Sequence, residues 1–398
     1  MWLLIVLAII ALFIFLAWLD FHMGYKADQR NSKKREYPVR HGTIDFFDDG
    51  QTFFTSYFKE LRKAQSFIHV SFYITKQDDF SKEFFSILMD RAREGITVRL
   101  LIDWLGGHSL TQSLRDDLKE AGVQLHASHR PTFPYTFYSI QRRNHRKITI
   151  VDGKIGFLGG FNIGKEYISQ QPKLSPWRDY HLRLSGEGIQ DLYDEFAVDW
   201  KRAVKEDLSA SFTKTEAGFT PYQLFPSEAG QLEEKFIDVL SNAKTSIKIG
   251  SPYFIPSPAV FEILEAQAKK GITIQILVPD IADHKLVKEA AYRYFRKLYA
   301  AGQNVEVYQY QNGFYHAKAL IIDNTFCDVG TANFDRRSFR INHELNCFIY
   351  DQSVVNEVLE TYNIDLSQSS NLTREKLQHM PLLTRLKEWI ARSVESLL

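Results

Sequence analysis

Asn144 to Asn162 reads NHRKITIVDGKIGFLGGFN, and Tyr315 to Asn333 reads YHAKALIIDNTFCDVGTAN. Each stretch carries the pattern H-x-K-x4-D, as His145, Lys147 and Asp152 in the first and His316, Lys318 and Asp323 in the second. Six residues then separate the Asp from a Gly pair (Gly159, Gly160) or a Gly-Thr pair (Gly330, Thr331), and Asn162 or Asn333 follows. A single three-position match arises readily by chance. Two copies with the same tail at the same distance do not.

The spacing has a chemical reading. On an extended chain, residues i and i+2 share a face, so each His projects beside its Lys. The runs ITIV (Ile148 to Val151) and ALII (Ala319 to Ile322) read as buried strands. Each Asp closes its strand, so it can belong to the catalytic set or simply anchor the turn. Gly160 and Thr331 stand where backbone can approach an anion, and the Asn162 and Asn333 amides can donate to it. Apposed, the copies offer two ammoniums and two amides to the oxygens of one phosphodiester. One imidazole can attack phosphorus while the other protonates the leaving oxygen. Each imidazole needs an orienting carboxylate. The candidates are Asp179 in WRDYH, 17 residues past Asn162, and Glu344 in NHE, 11 residues past Asn333. His181 and His343 beside them read as bystanders. The motif residues apart, His, Cys and Asp show no ligand spacing, so no metal is expected.

Outward from the motifs the chain repeats itself. SFIHVSFY (Ser66 to Tyr73) matches SIKIGSPYF (Ser246 to Phe254), and REGITVRLLID (Arg93 to Asp103) matches KKGITIQILVPD (Lys269 to Asp280). In both, Gly ends a helix and a β-branched strand follows. The first copy carries about nine extra residues before its motif, within HRPTFPYTFYSIQRRN (His129 to Asn144). This stretch can be a flap over the site or an ordinary packed loop. Alternating strands and helices imply an α/β fold of two similar lobes, each a β-sheet flanked by helices. A site at their interface follows only from apposing the two motif copies. The expected divisions are 1–20 (anchor), 21–42 (basic linker), 43–204 (first lobe), 205–228 (inter-lobe linker), 229–365 (second lobe) and 366–398 (amphipathic tail).

Met1 to Leu19 contains no charge and is long enough to cross a bilayer as a helix. It lacks the basic start and small-residue cleavage site of a signal peptide, so an uncleaved N-terminal transmembrane anchor is expected. Lys26, Arg30, Lys33, Lys34 and Arg35 follow it, which puts the body on the cytoplasmic side of the cell membrane. Lys and Arg total 49 against 48 Asp and Glu, a balance that promises no channel for nucleic acid. Cys327 and Cys347 read as buried core residues. At the C-terminus, Leu382, Leu383, Leu386, Trp389, Ile390, Val394, Leu397 and Leu398 make one helical face, suited either to the protein's own core or to a lipid surface.

The doubled motif resembles that of the phospholipase D superfamily. From about Thr43 onward the chain looks most like the shorter, minor type of bacterial cardiolipin synthase, on NHRKITIVDG, GGFNIGKEY, PWRDYHLRLSGE, SPYFIP, HAKALIID and GTANFDRRSF. The resemblance implies phospholipase D-like lobes with the site between them, a phosphohistidine intermediate on the first motif's His, no cofactor, and condensation of two phosphatidylglycerols with release of glycerol. Gly160 departs from the Ser common at its position, and Thr331 keeps a hydroxyl. A lipid hydrolase, another phosphatidyltransferase and a nuclease of the same superfamily are the rival readings.

Overall fold

In the computed structural model, which describes residues 1–210, 212 and 218–394, the repeat becomes two matching half-sheets. The first half contributes β1 (Arg40–Asp49), β2 (Phe67–Phe72), β3 (Thr97–Asp103), β4 (Gln124–Ser128), β5 (Ile148–Val151), β6 (Ile155–Gly159) and β7 (Trp177–Gly186). The second contributes β8 (Thr220–Ser227), β9 (Ser246–Gly250), β10 (Phe254–Ile255), β11 (Thr273–Pro279), β12 (Val305–Tyr310), β13 (Phe314–Tyr315), β14 (Ala319–Ile322), β15 (Phe326–Gly330), β16 (Phe334–Asp335), β17 (Glu344–Ile349) and β18 (Ser369–Asn371). The halves run β4-β3-β2-β5-β6-β7-β1 and β12-β11-β9-β14-β15-β17-β8, and β1 pairs with β8 to fuse them into one sheet.

Local chemistry explains the match. β2, β3 and β4 are parallel, as are β9, β11 and β12, because helices such as Asp79–Arg93 and Pro258–Lys269 carry the chain back between them. Those two helices give way to Gly95 and Gly271, both at positive φ, a conformation that costs glycine little. β5 and β14 are buried at every residue, as continuous apolar runs require. Phe53, Phe54, Tyr57, Phe84 and Phe161 fill the core of the first half, which absorbs part of the aromatic excess. Cys327 and Cys347 are buried free thiols on β15 and β17.

Two expected boundaries change. The stretch 205–228 is not all linker: its second part is β8, held between β1 and β17, while 211 and 213–217 lie outside the described residues. The N-terminal helix does not stop near residue 20 but runs from Trp2 to Asn31, since no proline interrupts it before Pro38. Its last three turns lie against the helix Thr136–Gln141, the flap segment of the sequence reading. A Cβ on Gly24 would meet Tyr138 at 2.6 Å, and Asp28 accepts from the Tyr138 hydroxyl at 2.8 Å. The C-terminal helix Leu382–Val394 buries Ala391 in the core of the second half and pairs Lys387 with Glu289 at 3.6 Å. Its apolar row Leu382, Leu383, Leu386 and Trp389 faces outward. Leu397 and Leu398 lie outside the described residues.

Candidate active site

The two H-x-K segments do not sit in their own half's ladder. Regular pairing with the home sheet begins at Ile148 and Ala319, and the residues before them cross to the other half. His145 N–H donates to the His343 carbonyl at 2.9 Å, and His343 N–H donates to the Arg143 carbonyl at 2.9 Å. Symmetrically, β13 pairs with β7, and His316 N–H donates to the Arg178 carbonyl at 2.7 Å.

This crossing decides which carboxylate serves which imidazole. Nδ1 of His145 lies 2.8 Å from Oε2 of Glu344, and Nδ1 of His316 lies 2.5 Å from Oδ2 of Asp179. Each histidine is therefore oriented by an acid from the opposite half, and neither half is complete alone. With Nδ1–H donated to the acid, Nε2 is the nitrogen left for chemistry. His145 and His316 remain 7% and 8% exposed while Asp179 and Glu344 are 0% exposed, so a substrate meets the imidazoles and not the acids behind them.

The charges are tightly coupled. Burial lowers the Lys147 ammonium to about 7 and that of Lys318 to about 8, against the pull of Glu344 and Asp179. Burial also lowers His316 to about 4, with Lys318 adding to the effect, and moves His145 in the same direction. Burial works against ionisation of Asp179 and Glu344, but the facing lysines and histidines outweigh it and hold both below the usual carboxylate range. Burial in the cleft thus favours neutral imidazoles and two easily lost ammonium protons. An incoming phosphodiester anion favours the cationic forms of the two lysines and of the one imidazole that serves as acid, while the attacking imidazole stays neutral. Since each lysine is a cation only below its own pKa, kcat/KM is expected to fall as pH rises through about 7–8. A pH profile on a soluble phosphodiester checks this, and a flat profile to about pH 9 counts against it.

Other residues of the motif are placed differently from the sequence reading. Asp152 and Asp323, grouped there with the catalytic residues, lie at the far ends of β5 and β14. Asp152 accepts the backbone N–H groups of Gln65, Ser66 and Phe67 at 2.7–3.0 Å. Asp323 does the same for Lys244, Thr245 and Ser246. Both have positive φ at a hairpin turn, and their work is to tie that turn to the preceding helix end. Asp152→Ala is expected to lower the unfolding free energy by about 1–3 kcal/mol while the folded enzyme keeps its kcat. A denaturation midpoint beside a turnover assay measures both.

Thr331 and Gly160, expected at the phosphate, belong instead to the carboxylates. The Thr331 hydroxyl donates to Glu344 at 2.6 Å and accepts from Leu345 N–H. At Gly160 a Cβ would lie 1.9 Å from Oδ1 of Asp179, so the missing side chain is what admits the acid. Asn162 accepts from Ile74 N–H at 3.1 Å, and Asn333 keeps its side-chain oxygen without a partner among the described residues. Of the bystanders, His181 packs on Phe53 and His343 sits among buried charges. Three aromatic walls were missed. Tyr73 lies 5.0 Å from the His145 ring, and Trp177 and Phe314 lie 4.8 and 5.8 Å from His316. The matched ends of SFIHVSFY and SPYF were the available signal for Tyr73.

Two imidazoles, each with a buried acid behind it and a lysine beside it, define a phosphodiester-transferring enzyme of the phospholipase D type. Comparison with known proteins agrees. The family described as "Cardiolipin synthase, PLD-like domain" matches residues 57–174 and 236–366. The minor cardiolipin synthase ClsB of Bacillus subtilis is 36% identical, with 98% of each chain covered. A cardiolipin synthase of Oceanobacillus iheyensis is 37% identical over 89% of this chain and 75% of its own. In structure, a phosphatidylserine synthase of Haemophilus influenzae superposes with a TM-score of 0.76 at 15% identity, covering 94% of this chain and all of its own; that likeness speaks for the fold. The chain belongs to the cardiolipin synthase family.

Proposed function

We propose that this enzyme condenses two phosphatidylglycerol molecules into cardiolipin and glycerol. Nε2 of His145 attacks phosphorus, and His316, protonated at Nε2, gives its proton to the departing glycerol oxygen. The P–N bond formed replaces the P–O bond broken. His316, now neutral, takes the proton of the second lipid's hydroxyl, whose oxygen displaces His145 and forms the new diester. Bond type is conserved, so no nucleotide is consumed. Lys147 and Lys318 offset the charge on the non-bridging oxygens, and the Asn333 amide donates to one of them. The resemblance to phospholipase D enzymes supports His145 as the first nucleophile. The crossed His–acid pairs carry the reading, because they hold two equivalent imidazoles ready for opposite proton roles.

The apolar helix Trp2–Asn31 supports a single-pass membrane anchor, and the basic residues after it support a body on the cytoplasmic face. Product analysis with phosphatidylglycerol vesicles as sole substrate, in EDTA, tests the function. Cardiolipin and glycerol in equal amounts are expected. Phosphatidic acid as the only lipid product would make the enzyme a hydrolase, and loss of activity restored by a divalent ion would end the metal-free reaction.

A further inference from the structure

The N-terminal helix is more than a tether. Its lower part is locked to the body by polar contacts: Tyr138 N–H donates to Asp20 at 2.8 Å, and Arg142 pairs with Asp28 at 2.5 Å. Beside those contacts, and extending past them toward the helix start, a groove of about 610 Å³ opens between the helix and the body. Ile14, Ala17 and Phe21 form one wall, and Phe137 with Arg336 and Arg340 form the other.

The second wall is continuous along the chain with the active-site segments. Phe137 belongs to the flap, which runs through Arg142 and Arg143 directly into His145. The Arg336–Arg340 helix begins three residues after Asn333 and ends four before Glu344. Arg337 from this helix clasps the flap, donating to the Gln141 carbonyl at 2.8 Å. The groove is thus apolar along the membrane-spanning segment and cationic where Arg336 and Arg340, on the helix that follows the second motif, line it. A diacyl phosphodiester has that polarity along its length.

We propose that this groove seats an acyl chain of the phospholipid whose phosphate is transferred, so that the anchor helix is one wall of the substrate site. The inference rests on the lipid-phosphodiester reading above. It accounts for a transmembrane helix that continues past the apolar run to grip the flap. Docked there, the helix holds the flap beside lipid, and a lipid can reach the imidazoles with its tail still in an apolar surround.

The full-length Ala17→Trp enzyme tests this, since the indole projects into the groove while Asp20, Gly24 and Asp28, which hold the flap, are left in place. Leu7→Trp, higher on the helix and outside the groove, is the control. Glycerol release, common to synthase and hydrolase reactions, is measured with long-chain and dihexanoyl phosphatidylglycerol in the same detergent. The long-to-short ratio of kcat/KM is expected to fall about tenfold or more in Ala17→Trp, as burial of two or more methylenes implies, and to hold in Leu7→Trp. An unchanged ratio, or equal loss on both substrates, overturns the proposal. A phosphatidylglycerol with a diazirine in its acyl chain gives a readout that needs no turnover. It should label the Phe137 peptide in the parent enzyme and not in Ala17→Trp. Absence of lipid label there, or cross-linking of the groove only to a second copy of the chain, overturns the groove as a lipid site. Lack of glycerol release with lipid labelling intact would instead overturn the synthase reading.

Discussion

A His145→Ala enzyme is expected to form no phosphatidyl-enzyme with any substrate, whereas His316→Ala is expected to form one when the leaving group needs no proton. The two histidines are near-copies, each with an acid at Nδ1 and a lysine two residues on, so simple loss of activity cannot separate them. The leaving group can. Glycerol departs as an alkoxide unless protonated, and general-acid help is worth about 10²–10⁴-fold. His316→Ala should therefore lose about that much on phosphatidylglycerol and far less on a p-nitrophenyl phosphodiester, which leaves as a stable anion. His145→Ala should fail equally on both. Acid-labile label on His316 in the absence of His145 would reverse the roles, and turnover with label on neither would remove the covalent step.

The same geometry makes the acids separable. Glu344 acts on His145 and Asp179 on His316, so Glu344→Gln should follow His145→Ala in its indifference to the leaving group. Asp179→Asn should follow His316→Ala. This pairing was not legible in the sequence. Asp179 lies closer along the chain to His145, and Glu344 to His316, and proximity suggests the opposite assignment. What decides it is the exchange of backbone pairing at residues 143–145 and 314–316, which no local pattern encodes.

Other features were legible to differing degrees for physical reasons. The repeat, the α/β alternation and the His-Lys pairs follow from periodicity and spacing, and the structure contains all three. The aspartates sit at fixed spacing because the strand between His and turn has a fixed length. Spacing alone therefore cannot distinguish a catalytic group from a turn anchor. β8 was hidden because TPYQLFPS contains two prolines, which ordinarily argue against an interior strand; β8 pairs with only three residues of β1, and both prolines fall in register with its neighbours. The grip of the anchor on the flap depends on Gly24 meeting Tyr138, a contact between residues over a hundred apart.

Arg146→Met is expected to cost about 3–5 kcal/mol of stability, the range for stranding buried charge. Arg146 occupies the middle of the first H-x-K, where alternation turns it away from the cleft; the second motif has Ala317 there. Its guanidinium is fully buried and meets Asp199 at 3.1 Å, Glu195 at 3.0 Å and Glu228 at 3.2 Å. Arg202, Arg35 and the His343 imidazole complete the group, Arg35 reaching Glu195 at 2.6 Å from the segment after the anchor helix and His343 lying 3.7 Å from Glu228. Three guanidiniums thus balance three carboxylates, and removing one leaves an unpaired anion. Arg146 also donates to the Glu344 carbonyl at 3.1 Å, so the loss reaches the acid behind His145. The pH dependence has a definite sign. Burial opposes ionisation of Asp199 and Glu228, but their cationic neighbours hold both below the usual range. Their contribution is therefore complete above the unfolded carboxylate pKa of about 4 and is lost as pH falls below it. In Arg146→Met the stranded carboxylates protonate more readily, and the variant gains on the parent as pH drops. Denaturant midpoints at about pH 7 and about pH 5 should show the gap narrowing on acidification. A gap that widens, or a cost under about 1 kcal/mol at pH 7, would mean that the cluster does not hold the halves together.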